Sequence, residues 1–93
     1  MVFLLFAGKL ALKILAMIKQ LTLYSTSNCH LCELAYALLM PSAAGFKLTV
    51  IDIADDEALL AQYALRIPVL HRQDKKAELG WPFNETDIVD YLK

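Results

Sequence analysis

Apolar residues recur along the chain first in alternating and then in helical spacing, and each change of spacing marks an element. Leu21 to Ser25 alternates, Leu21 and Leu23 against Thr22 and Tyr24, as a strand covered on both faces does. Thr26-Ser27-Asn28 is turn chemistry and can cap a helix beginning just after it. Leu31, Leu34, Ala35, Leu38 and Leu39 then fall at helical spacing, and Pro41 stops that helix ahead of the connection Ser42 to Gly45. Phe46 to Ile53 reads as a second strand with Leu48, Val50 and Ile51 in its interior. Asp55, Asp56 and Glu57 crowd the next helix start, where acids suit the dipole, and Leu59, Leu60, Tyr63 and Ala64 make its apolar face. Ile67-Pro68 heads a third strand, Val69-Leu70-His71, because a proline in a strand is confined to its first residue, an edge or a bulge. Gln73 to Lys76 is a polar hairpin turn leading to the return strand Ala77-Glu78-Leu79. Gly80-Trp81-Pro82-Phe83 connects to a last helix capped by Asn84, with Ile88, Val89, Tyr91 and Leu92 on its apolar face.

The order is strand, helix, strand, helix, strand, strand, helix. Strand, helix, strand with a short helix behind implies a parallel pair with a right-handed crossover. The predicted fold class is α/β: a four-stranded mixed sheet with three helices, spanning residues 19–93.

Residues 1–18 form an apolar extension outside that pattern. Of the first twenty residues fifteen are apolar, and Lys9 and Lys13 interrupt them. As a membrane span the segment would carry both lysines near its middle, at about 2.5–3.5 kcal/mol each. As a signal peptide it lacks a positive start and a small-residue cleavage site. As a helix it places Lys9, Lys13 and Gln20 on one face, which suits a membrane surface or docking on the domain. A start of translation at Met17 would instead open the chain directly into its first strand.

Composition narrows the function classes. Ninety-three residues make one domain, and a hydrophobic content of 58% excludes disorder as its default state. Residues 20–93 hold 6 basic and 10 acidic residues, a net charge of -4, and so offer no basic face for nucleic acid. The 2 cysteines, Cys29 and Cys32, lie three positions apart and close too small a loop to act as a secreted-type disulfide framework.

Their position carries the chemistry. Ser27-Asn28-Cys29-His30-Leu31-Cys32 stands at a strand-to-helix junction. The first turn of a helix leaves backbone N–H groups unpaired and carries the positive end of the dipole, so a thiolate there is stabilised. A thiolate is the form that attacks disulfides. Alternatives remain open at this point. The two cysteines could be packed as small hydrophobes. They could also serve a binding module or a Cu/Zn carrier as ligands, although no four-ligand set is evident and no metal site is assigned.

The C-x-x-C pair after a first strand, the Arg66-Ile67-Pro68-Val69-Leu70 segment and the closing helix resemble the glutaredoxin-like proteins of the thioredoxin-like superfamily. The resemblance implies the minimal thioredoxin-like fold and a thiol-disulfide oxidoreductase, with Cys29 as nucleophile and Cys32 as resolving thiol. It implies a cis Ile67-Pro68 bond facing the cysteines and an Ile67 backbone free to pair with an extended substrate. His30, Trp81 and Asn84 complete the expected substrate-binding set. Here His30 would favour the neighbouring thiolate as an imidazolium, and Asn84 would meet a carboxylate at the last helix N-terminus. The alternative for Trp81 is core packing, as for Tyr24, Tyr36 and Tyr63. Glutaredoxins carry a proline and an aromatic between their cysteines, a basic residue just before them, and a glycine pair before the last helix. Here His30-Leu31, an uncharged Thr26-Ser27-Asn28 and a single Gly80 stand in those places, and Glu85 and Asp87 would repel a carboxylate. The expectations are a cytoplasmic monomer with no bound cofactor, acting on a disulfide-containing protein or glutathione, with glutathione as reductant. A membrane surface enters only through residues 1–18.

Overall fold

The structure is a computed structural model that describes residues 19–93. The apolar extension, with its amphipathic-helix and Met17-start readings, lies outside the described residues. Strand β1 (Lys19–Ser25) is central and buries Leu21 and Leu23 completely or nearly so. It runs parallel to β2 (Phe46–Asp52), with Leu21 opposite Leu48 and Leu23 opposite Val50. On its other side it runs antiparallel to β3 (Val69–Arg72), which pairs antiparallel with β4 (Ala77–Gly80). The strand order is β2-β1-β3-β4, the mixed four-stranded sheet expected from the sequence.

Helix α1 (His30–Leu39) and helix α3 (Glu85–Leu92) cover one face. There Ala35, Leu39 and Ile88 pack with Leu21, Leu23, Leu70 and Phe83. Helix α2 (Glu57–Tyr63) covers part of the other, where Tyr63, Ile53 and Val69 form a smaller cluster with Tyr24 against it. Tyr24 and Tyr63 stack with ring centroids 4.2 Å apart. The Tyr63 hydroxyl donates to Glu78 at 2.5 Å, and Arg66 reaches the other carboxylate oxygen at 2.6 Å. The Tyr63 hydroxyl and then Arg66 hold the Glu78 carboxyl below the usual range, while burial and then Glu78 push the Tyr63 phenol up.

Several expected faces differ in detail. On α1 the buried positions are Cys32, Ala35 and Leu39, while Leu31 and Leu34 are exposed. Nearly every position of this helix is apolar, so spacing alone fits two adjacent stripes. Strand β2 is a sheet edge, and Val50 is 49% exposed rather than interior. Leu60 and Ala64 of the α2 region likewise face outward.

Arg72 is a buried charge in this core. Its Nε and Nη2 donate to the two Asp74 oxygens at 3.0 and 2.7 Å, and its Nη1 donates to the Tyr91 carbonyl at 2.8 Å. The Arg72 guanidinium holds the Asp74 carboxyl below the usual range.

Candidate functional site

Ser27 and Asn28 turn the chain from β1 into α1, and Asn28 does so at φ 57. Left-handed backbone is accessible to asparagine at low cost. The turn delivers Cys29 as the N-cap of α1, a place filled more often by serine, threonine or aspartate. The Cys29 Sγ accepts from the Cys32 N–H at 3.2 Å, so sulfur here does what a capping oxygen does elsewhere. A helix-terminal N–H aimed at Sγ favours charge on that sulfur. Cys32 lies one turn on, with its Cα 5.2 Å from that of Cys29, and the two are joined as a disulfide. Cys29 is half-buried, whereas Cys32 is 3% exposed. Cys29 is therefore the more accessible of the two.

Both cysteines line a cleft of about 370 Å³. Its polar rim is Ser25 to Asn28, and its apolar wall is Leu23, Val50 and Tyr36. Glu33 is the one carboxylate on it, and neither lysine nor arginine lines it among the described residues. The cleft opens on the β2 side of the cysteines.

The other expected site residues are not all brought to this cleft. His30 is turned to solvent, its side chain 81% exposed and its Nδ1 4.0 Å from Glu33. Ile67-Pro68 is cis, as the resemblance implies, and so is Trp81-Pro82. Pro68 is fully buried at the start of β3, and it would continue the pairing of Tyr24 with Val69 at the same end of the sheet as the cysteines. The Ile67 N–H is not free for a substrate: it closes the end of α2 on the Tyr63 carbonyl at 3.0 Å. Trp81 meets Phe83 edge to face at 5.1 Å and packs on the core under α1 and α3.

Asn84 is used within its own helix. Its Oδ1 accepts from the Asp87 N–H, and Asp87 Oδ2 accepts from the Asn84 N–H, both at 2.9 Å. This capping box satisfies donors that a ligand carboxylate would otherwise take. No three of His, Cys, Asp and Glu converge on a metal-holding position among the described residues. His71 lies on the α2 face with its ring 6.5 Å from that of Tyr24.

Three members of the cleft, Glu33, Tyr36 and Val50, escape sequence reasoning. Tyr36 is 42% exposed and lines the cleft instead of packing in the core. A signal for it exists, since Cys29, Cys32, Glu33 and Tyr36 stand at i, i+3, i+4 and i+7, one face of a helix. Val50 carries no such local signal, because only the β1–β2 register sets it beside Leu23.

Comparison with known proteins agrees with this geometry. No curated protein matches the chain. The crystal structure of XcR50 from X. campestris is 40% identical, covering 77% of this chain and 93% of that one, with a TM-score of 0.70. The solution structure of the same target is 39% identical over 77% of this chain and 90% of that one, with a TM-score of 0.68. Protein Ne2328 from Nitrosomonas europaea, solved by NMR, is 33% identical over 81% of this chain and 92% of that one, also with a TM-score of 0.68. A family model matches residues 20–93, β1 through the last helix with the paired cysteines between them, and the chain belongs to the glutaredoxin-like domain family (DUF836).

Proposed function

We propose that the protein is a thiol-disulfide oxidoreductase acting on disulfides carried by proteins. One observation carries the reading: Cys29 is half-buried, its Sγ receives a helix N-terminal N–H, and it is disulfide-bonded to the buried Cys32. In the reduced protein the Cys29 thiolate attacks one sulfur of the substrate disulfide. A Cys29–substrate mixed disulfide forms and the other substrate sulfur leaves as a thiolate. Cys32 gives up its proton and attacks the Cys29 sulfur. The mixed disulfide breaks, the second substrate thiol is released, and the Cys29–Cys32 disulfide remains. Two electrons pass from the cysteine pair to the substrate. A low-molecular-weight thiol such as glutathione, or a dithiol reductase, returns them.

One copy supplies both thiols, so the reading needs no second chain. Two cysteines in redox spacing, without the framework of a secreted domain, suit a reducing compartment such as the cytoplasm. Among the described residues no helix is long and apolar enough to cross a membrane.

The test uses two variants and a protein disulfide. Cys29→Ser is expected to abolish exchange. Cys32→Ser is expected to stop after one step and accumulate a single mixed-disulfide adduct by intact mass. Continued turnover by Cys29→Ser would overturn the assignment.

A further inference from the structure

The cleft beside the cysteines is electrically one-sided. Glu33 is its only charged wall residue among the described residues, and its carboxylate caps no helix. Its nearest basic neighbour among them is His30, at 4.0 Å. The surroundings repeat the sign. Asp52 ends β2 opposite Ser25, and Asp55, Asp56 and Glu57 come after it toward α2. Glu85 and Asp87 occupy the first turn of α3, which begins after β4 ends at Gly80, opposite Val69. All three helices thus start at the cysteine end of the sheet, and acids gather there as helix-start residues.

Among the described residues the lysines lie at the far end. Lys19 pairs with Phe46 where β1 and β2 begin, with Lys47 next to it. Lys75 and Lys76 form the hairpin opposite the cysteines, and Lys75 donates to the Lys93 carbonyl at the end of α3. Arg66, nearer the cysteines, is held by Glu78 at 2.6 Å.

Resting on the proposed redox function, we propose that Glu33 sets charge selectivity at this site, favouring disulfides on positively charged polypeptide segments over anionic ones such as oxidised glutathione. An incoming disulfide must place its sulfur at Cys29, within the field of Glu33 and the acids behind it. A cleft lined by one sign of charge concentrates partners of the other sign and raises their encounter rate. The apolar wall of Leu23, Val50 and Tyr36 takes the residues flanking the substrate cysteine. The α3 N-terminus, where an anionic ligand could otherwise be held, is already capped by Asn84 and Asp87.

The experiment uses the reduced full-length protein and three end-blocked peptide disulfides, with the cysteine flanked by lysines, serines or glutamates, alongside oxidised glutathione. Exchange is quenched by alkylation and read by intact mass. Each rate is divided by that of dithiothreitol with the same probe, which removes intrinsic differences in disulfide reactivity. The lysine-flanked probe is expected to react at least about tenfold faster than the glutamate-flanked one at low salt. The gap is expected to close in about 1 M salt, where the Debye length is about 3 Å. Glu33→Gln is expected to reduce the lysine-to-glutamate ratio about threefold. Any change in thiolate population in that variant multiplies both rates and cancels in the ratio.

A ratio near one, a preference for glutathione, or a ratio untouched by Glu33→Gln would overturn the proposal. Reaction of the serine-flanked probe in those cases leaves the redox reading standing. No reaction with that probe above the dithiothreitol scale would overturn both.

Discussion

Arg72 offers a test of how this small domain tolerates a buried charge. Its guanidinium has no exposed surface, binds Asp74 through two bonds and the Tyr91 carbonyl through one, and lies 5.1 Å from the centre of the Phe46 ring. Arg72→Met removes the charge and keeps most of the stem. Taking two charges out of water offsets much of their attraction, so the ion pair itself contributes little. The remaining losses are a bond to the Tyr91 carbonyl and the contact with the Phe46 ring, together about 1–2 kcal/mol. Arg72→Ala also empties the space of the stem and is expected to cost about 3–5 kcal/mol. Asp74→Ala leaves the guanidinium buried with only the Tyr91 carbonyl, and is expected to destabilise more than Arg72→Met although it deletes fewer atoms. Urea unfolding of the oxidised protein measures all three, with m unchanged if only stability moves. The site lies at the opposite end of β3 from Pro68 and the cysteines, so exchange rates of the folded variants should match the parent. An Arg72→Met loss equal to that of Arg72→Ala, or an Asp74→Ala loss below that of Arg72→Met, would refute the reasoning.

Two further predictions concern pH and the turn before Cys29. Asp74 and Glu78 have carboxyl groups held below their unfolded values, by Arg72 in one case and by Tyr63 then Arg66 in the other. Their contribution is therefore fully present above about pH 4–4.5, where the unfolded groups are ionised, and is lost as pH falls toward the folded values. Tm should drop over that acid range, and Glu78→Gln should flatten the drop; a pH profile unchanged by Glu78→Gln would count against the ionic account of that cluster. Asn28→Val puts a β-branched residue at φ 57, costing about 1–2 kcal/mol, whereas Asn28→Gly keeps the turn. The valine variant is expected to exchange more slowly through a displaced Cys29 cap, and equal rates for the two would show that the turn does not position the sulfur.

Most of the fold is legible because each boundary carries its own chemistry: Asn28 and Asn84 at turns and caps, Pro41 after α1, Pro68 before β3. What periodicity leaves undecided is which stripe of an almost wholly apolar helix meets the sheet. Leu31 and Leu34 fit the spacing as well as Cys32 and Leu39, and only packing against Leu21 and Leu23 selects the second pair. Arg72 is a harder case, since nothing local distinguishes it from an exposed strand residue until Asp74 and Tyr91 close around it. The same division runs through the site. Cys29, Cys32, Glu33 and Tyr36 belong to one helix face and can be read from spacing. Val50 and Leu23 join them by parallel register, and Pro68 is brought to the same end by an antiparallel one. Ile67 and Asn84 mark the limit of carrying a family's pattern residue by residue. Each sits at its expected place in the chain, and each has a polar group taken by a neighbour that the motif does not specify: the Tyr63 carbonyl for the Ile67 N–H, the Asp87 N–H for the Asn84 side chain. Identity at a motif position assigns chemistry only when the bonding partners around it are left free.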